Sequence, residues 1–122
     1  MGIVRIIVDD VDEAAAFYRE HLGFELEDQW GHAIAILARG DLSLWVSGPL
    51  SSAARPMPDG MTPQAGGWNR VVIEVEDIES RVEALRAAGV RFRNDVIGGP
   101  GGRQIILDDP SGNPVELFEP AR

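Results

Sequence analysis

Apolar and polar residues along this chain alternate, shift to helical spacing, alternate again, and then repeat the whole cycle. Ile3 to Val8 is a short β-branched run and reads as a first strand. It gives way to Asp9-Asp10-Val11-Asp12, where Asp12 or Asp10 can cap a helix and the acids suit the positive end of its dipole. The helix is predicted over about Glu13 to Leu22, with Ala16, Phe17 and Leu22 on its buried face. Gly23 ends it as a left-handed cap. Phe24 to Gln29, His32 to Ala38 and Leu42 to Ser47 read as three further strands, the last two joined by an Arg39-Gly40-Asp41 turn.

Gly48 to Gly67 breaks the pattern. It has no periodicity and holds Pro49, Pro56, Pro58 and Pro63, so it reads as a long connection, functional or linking. The cycle then resumes. Arg70 to Val75 is predicted as a strand, and Ser80 to Ala88 as a helix with Val82, Leu85 and Ala88 as its apolar stripe. Gly89 stops that helix, and Val90 to Val96 reads as a strand. Gly98 to Gly102 is a glycine-rich loop without the lysine and following helix of a phosphate-binding loop, so it reads as a hairpin or lid. Arg103 to Leu107 and a last strand ending at Phe118 flank the turn Asp109-Pro110-Ser111-Gly112-Asn113-Pro114.

The two halves match. Val8-Asp9-Asp10-Val11-Asp12 aligns with Val75-Glu76-Asp77-Ile78-Glu79 at an offset of 67 (8 to 75), and Gly23 aligns with Gly89 after a slip of one. The fold class expected is α+β: two pseudo-symmetric βαβββ modules whose curved mixed sheets surround a cavity, with modules at about 1–48 and 68–122 and a linker at 49–67. The 122 residues suit one domain.

Composition narrows the chemistry. A formal net charge of −9 argues against nucleic acid and anionic membranes as partners. There is no cysteine, which excludes disulfides, thiolate metal sites and cysteine nucleophiles. No membrane span or signal peptide is legible, so the expected location is the cytoplasm.

The residues Val8-x-Asp10, Phe17-Tyr18, Leu22-Gly23-Phe24, Val75-Glu76-Asp77, Ala87-Ala88-Gly89-Val90 and Asp109 to Leu117 together resemble the vicinal oxygen chelate superfamily, which includes glyoxalases, extradiol dioxygenases, fosfomycin-resistance proteins and bleomycin-binding proteins. In its metal-using members four strand residues chelate one divalent ion. The resemblance puts the first ligand position, usually His, on Ile3; the second, usually Glu or His, at or beside Trp45; the third, usually His, on Arg70; and the fourth, Glu, on Glu116. Isoleucine has no donor atom and arginine does not give up its proton, so only Glu116 could ligate. A catalytic metal normally has about three protein ligands. The expectation is therefore no metal and no cofactor.

Strand parity then populates the shared face: Ile3, Arg5 and Ile7 from the first strand, Arg70, Val72 and Glu74 from its counterpart, with Trp45 and Glu116. Arg70 with Glu116, and Arg5 with Glu74, are candidate ion pairs; losing one partner of a buried pair costs roughly 3–5 kcal/mol. Arg70–Glu116 could be an ion pair in a plugged core, or Arg70 could anchor a ligand's anionic or carbonyl group with Glu116 holding it. Candidate ligand-binding residues are Arg70, Glu116, Trp45, Arg5, Glu74 and Arg103, the last pointing to the cavity mouth. Trp68 and Trp30 are further aromatic candidates, with Trp30 reading as structural or dimeric. His32 reads as an exposed or capping group, His21 as a solvent-facing residue of the first helix, and Asp9, Asp10 and Asp12 as caps rather than a calcium loop.

Two function classes stay open. One is a metal-independent protein that binds a small aromatic, carbonyl or drug-like ligand. The other is a cofactorless lyase or isomerase on a small carbonyl substrate, with Glu116 as base. An arginine neighbour favours the ionised carboxylate, which suits positioning better than proton abstraction. A metal-dependent glyoxalase or dioxygenase requires a different ligand register. The superfamily resemblance also implies a homodimer, with a small molecule as the other partner.

Overall fold

The computed structural model describes residues 2–122. The chain forms two compact units, Met1–Gly66 and Gly67–Arg122. Each is a curved mixed sheet with one helix on one face.

In the first unit β1 is Gly2–Ile7, α1 Val11–Leu22, β2 Glu25–Trp30, β3 Ile34–Arg39 and β4 Leu42–Ser47. The sheet order is β1-β4-β3-β2, with β1 parallel to β4 and the other neighbours antiparallel. Asp10 is the N-cap of α1, its carboxylate accepting from the Glu13 amide at 3.0 Å. Capping at Asp10 starts the helix at Val11, two residues earlier than expected, and the buried stripe differs from the expected one. Val11, Ala14, Ala15, Tyr18 and Leu22 are buried, while Ala16 and Phe17 are only half-buried. Gly23 closes the helix at φ 74°, and Arg39 Nε donates to the Leu22 carbonyl there at 3.0 Å. Leu44, Val46, Ala35 and Leu37 back the helix. The edge strand β2 is acidic and shifts register between Leu26 and Asp28, two devices that blunt a free edge.

Between the sheets' strands, Ser52–Ala54 forms a single 3-10 turn in the proline-rich connection, and Ser51 Oγ donates to the Gly48 carbonyl at 2.7 Å.

In the second unit β5 is Val71–Glu74, α2 Ile78–Ala87, β6 Arg91–Phe92, β7 Ile97–Gly99, β8 Gly102–Asp108 and β9 Pro114–Pro120. The order β5-β9-β8-β6 repeats the pattern of the first sheet, with β7 pairing β8. Asp77 caps α2, and Ile78, Val82 and Leu85 are buried. Ala88, expected in the stripe, is the exposed C-cap residue just past the end of this helix, which also starts two positions earlier than expected. Val90 to Val96 was expected as one strand but pairs only at Arg91 and Phe92. After the Arg93 amide donates to the Ile106 carbonyl, the next rung is made by a side chain: Asn94 Oδ1 accepts from the Ile106 amide at 2.9 Å. A side-chain acceptor in place of a backbone one ends the ladder.

The glycine-rich segment is a hairpin, with Gly99 opposite Gly102. Gly102 sits at φ 147°, and a Cβ there would overlap the Glu119 carbonyl oxygen. The turn before β9 is organised by Asp109, whose Oδ1 accepts from the amides of Ser111 and Asn113.

Candidate functional site

Each sheet has a face turned away from its helix, and strand register shows what occupies it. In the first unit Arg5 lies opposite Trp45, Ile3 opposite Ser43 and Ile7 opposite Ser47, with Ile36 on the far side of Trp45. In the second, Val72 lies opposite Glu116, which lies opposite Ile106, and Glu74 lies opposite Phe118. Since 5 and 72 differ by the repeat offset of 67, Trp45 and Glu116 occupy equivalent positions, as do Ile3 and Arg70. The second ligand position, expected at or beside Trp45, thus falls on Trp45.

Arg70 immediately precedes β5, and Glu116 is in the middle of β9. Their side chains are 25% and 10% exposed. Arg70 Nε and Nη2 both approach Glu116 Oε1, at 3.0 and 2.9 Å. Two nitrogens converge on one oxygen, in contrast to the fork across both carboxylate oxygens that arginine–carboxylate pairs frequently form. Arg70 Nη1 donates to the Trp68 carbonyl at 3.1 Å. A guanidinium has five N–H donors, and the hydrogen bonds to Glu116 and Trp68 use two of them. Glu116 Oε2 accepts from no protein donor among the described residues.

Beside this pair lies a second arginine centre that sequence reading missed. Arg93 Nε donates to Asp108 at 2.6 Å, Nη1 to the Gly67 carbonyl at 2.7 Å and Nη2 to the Gly112 carbonyl at 3.0 Å. Its guanidinium carbon is 4.6 Å from the Trp68 ring centre. Its partners are 15 to 26 residues away in sequence, so no local pattern reveals them. Asp108 shares its face of β8 with Ile106, which is the Glu116 face.

In the first unit Arg5 Nη1 donates to Ser47 Oγ at 3.1 Å, and its guanidinium stands 5.0 Å from the Trp45 ring centre. Trp45 Nε1 donates to Ser43 Oγ at 3.2 Å. Arg5 thus has its partners within its own unit, while Glu74, its expected partner, is an exposed residue of the other.

Arg103 corrects an expectation. Register places it opposite Glu119, on the α2 face, where it binds Glu79 at 2.7 Å and Glu119 at 3.0 Å. Because faces alternate along β8, it cannot share a face with Glu116. Glu119 also accepts from the Ile78 amide at 3.0 Å. That amide and then Arg103 hold the Glu119 carboxyl below its ordinary range, and the Ser80 amide does the same for Asp77.

His32 lies in the turn after β2, where Nδ1 is 2.6 Å from Asp12. Asp12 also accepts from Gln29 at 2.7 Å; Gln29 first and His32 second lower its carboxyl's affinity for protons. His21 is half-buried and packs edge-on to Phe17 at 5.2 Å, a contact that its expected solvent-facing position did not include. Trp30 is exposed.

The residues at the family's four ligand positions do not fit a metal. Ile3 offers no donor, the Trp45 ring nitrogen donates rather than accepts, Arg70 is a cation, and Glu116 Oε1 is taken by that cation. Among the described residues no cluster of three or more His, Asp or Glu side chains is placed to hold one.

The model of the Glyoxalase/Bleomycin resistance protein/Dioxygenase superfamily matches residues 1–117, running through both units, and the chain belongs to that superfamily. Mouse mitochondrial methylmalonyl-CoA epimerase is 29% identical to it over 123 aligned positions, 93% of this chain and 69% of the relative. TnmS3, an antibiotic binding protein from Streptomyces sp. CB03234, is 26% identical at a TM-score of 0.74, with 98% and 93% of the two chains covered. A superfamily member from Sphaerobacter thermophilus is also 26% identical, at 0.76, over 98% and 95%. No helix among the described residues is long and apolar enough to cross a membrane.

Proposed function

We propose that this chain is a metal-independent binding member of its superfamily, and that it takes a small organic molecule bearing a carbonyl or similar oxygen on the sheet face around Arg70. The carrying observation is the state of Arg70. Its charge is balanced by Glu116, its position is held by two hydrogen-bonding partners, and further N–H donors of the guanidinium remain for a ligand. Val72, Ile106 and Phe118 supply apolar surface on the same face. A balanced pair in a chain of net charge −9 favours a neutral or cationic molecule over an anion. Similarity to an antibiotic binding protein supports the reading. Arg5 and Trp45 offer a stacked cation and indole on the equivalent face of the first unit, and Glu74 a carboxylate at the border of the second. Assembly as a homodimer and a cytoplasmic location belong to the same proposal.

A second reading, a cofactorless lyase or isomerase on a small carbonyl substrate, draws support from the unengaged Oε2 of Glu116 and from similarity to an epimerase. Elemental analysis of protein purified without chelator, followed by a thermal-shift screen of neutral and cationic aromatic carbonyl compounds, tests the first reading. It expects no stoichiometric zinc, nickel, iron or manganese, and at saturation a gain of a few kcal/mol, about 2.7 at a hundredfold excess over Kd. Stoichiometric metal would sink it. Solvent deuterium entering an enolisable ketone, lost in Glu116→Gln, would favour the enzyme.

A further inference from the structure

We propose that Trp68 is a ligand-stacking wall of the Arg70 site and that Arg93 is the positioning residue that holds it there. This rests on the reading that the Arg70 face binds a small molecule, and it narrows the ligand to a planar aromatic ring carrying a neutral oxygen acceptor.

Trp68 is 67% exposed, so burial of its ring contributes little to folding. It is nevertheless held at both ends. Its carbonyl accepts from Arg70 Nη1, and its ring lies against Arg93. Arg93 cannot swing away freely, because its guanidinium is tied to Asp108 and to the carbonyls of Gly67 and Gly112. Those ties span the start of the unit, β8 and the turn before β9. Among the described residues the Trp68 ring has no second ring or cation partner and its Nε1 has no acceptor. An exposed indole fixed on one side by a cation, and joined through its own backbone to the arginine of the site, is pre-organised to stack a flat ring while Arg70 donates to that ring's oxygen substituent. A purely structural latch between Gly67 and Gly112 needs the Arg93 hydrogen bonds but not an indole in solvent.

The test is calorimetric titration of the full chain with 2-naphthamide and with its saturated counterpart, decahydro-2-naphthamide. Both present an amide oxygen to Arg70, but only the first is flat. The wild-type chain is expected to prefer 2-naphthamide about fivefold to tenfold, the scale of one aromatic pair. Trp68→Ala should abolish the preference while leaving decahydro-2-naphthamide binding in place, and Trp68→Phe should keep part of it. Arg93→Met should lower the preference without equal loss for the saturated amide, with partial recovery in Arg93→Lys; a latch alone would weaken both amides together. An undiminished preference in Trp68→Ala overturns the proposal. If in addition Arg70→Ala loses both amides, the Arg70 reading stands and only the wall falls. If neither amide binds the wild-type chain, the wall and the Arg70 reading both fall.

Discussion

The helix-free faces of the two sheets occupy the same register and differ in chemistry. At one pair of equivalent positions the first unit has Ile3 and Trp45, and the second has Arg70 and Glu116. The first face is stabilised by a cation on an indole and by two serine hydroxyls, all neutral or solvent-touching partners. The second depends on a carboxylate that is nearly buried and an arginine that must stay beside it. A duplicated fold thus keeps the backbone positions of a binding centre while the side chains diverge. The unit with the buried charge gains directional donors and becomes more sensitive to the loss of one group.

That contrast can be broken first at Glu116. Glu116→Leu should cost about 2–3 kcal/mol in urea unfolding, a little below the roughly 3–5 kcal/mol of a fully buried stranded partner because the Arg70 side chain is 25% exposed. The double variant Arg70→Met/Glu116→Leu should recover much of it; a double variant as unstable as the single one would mean that the pair is not what holds this face. The first unit should respond less. Trp45→Ala should cost about 1–2 kcal/mol, since the ring is only half-buried and its cation contact is worth roughly 0.5–1 kcal/mol. Arg5→Ala should remove the cation contact and the hydrogen bond to Ser47 and cost less than Glu116→Leu, and a loss equal to that of Glu116→Leu would erase the distinction between the two faces.

The smallest effect concerns acid. Asp77 and Glu119 in the second unit and Asp12 in the first have lowered carboxyl pKa values. For a lowered carboxyl, the stabilising contribution is complete above its unfolded value and disappears as pH falls through the folded one. Melting temperature should therefore be flat near neutrality and decline below the ordinary carboxylate range. Asp77→Asn/Glu119→Gln should shallow that decline, as measured by circular dichroism at several pH values. An unchanged acid slope would show that the α2 cap does not contribute to it.

Much of the fold was legible because its signals are local. The helix stops at Gly23 and Gly89, the turn at Asp109 to Asn113 and the repeat at an offset of 67 each need only a few neighbouring residues. Helix starts were two residues off because either Asp10 or Asp12 could cap, and only the packing of Val11 and Ile78 selects between such alternatives. At the site, alternation placed Arg5, Arg70, Glu74, Trp45 and Glu116 on the helix-free faces. It did not place Arg103, whose face depends on which residue of β9 it meets.

By itself, then, the sequence determined the two βαβββ cycles, the residue types at the four ligand positions and the parity of each strand, because backbone geometry imposes those periods wherever the strand lies. Tertiary structure alone decided that Arg70 turns two nitrogens onto one oxygen of Glu116, that Arg103 joins Glu119, and that Arg93 gathers Gly67, Asp108 and Gly112 behind Trp68. The physical reason is range. Long side chains choose among several partners of similar chemistry, and the choice depends on which strands and turns the fold brings within about 3 Å.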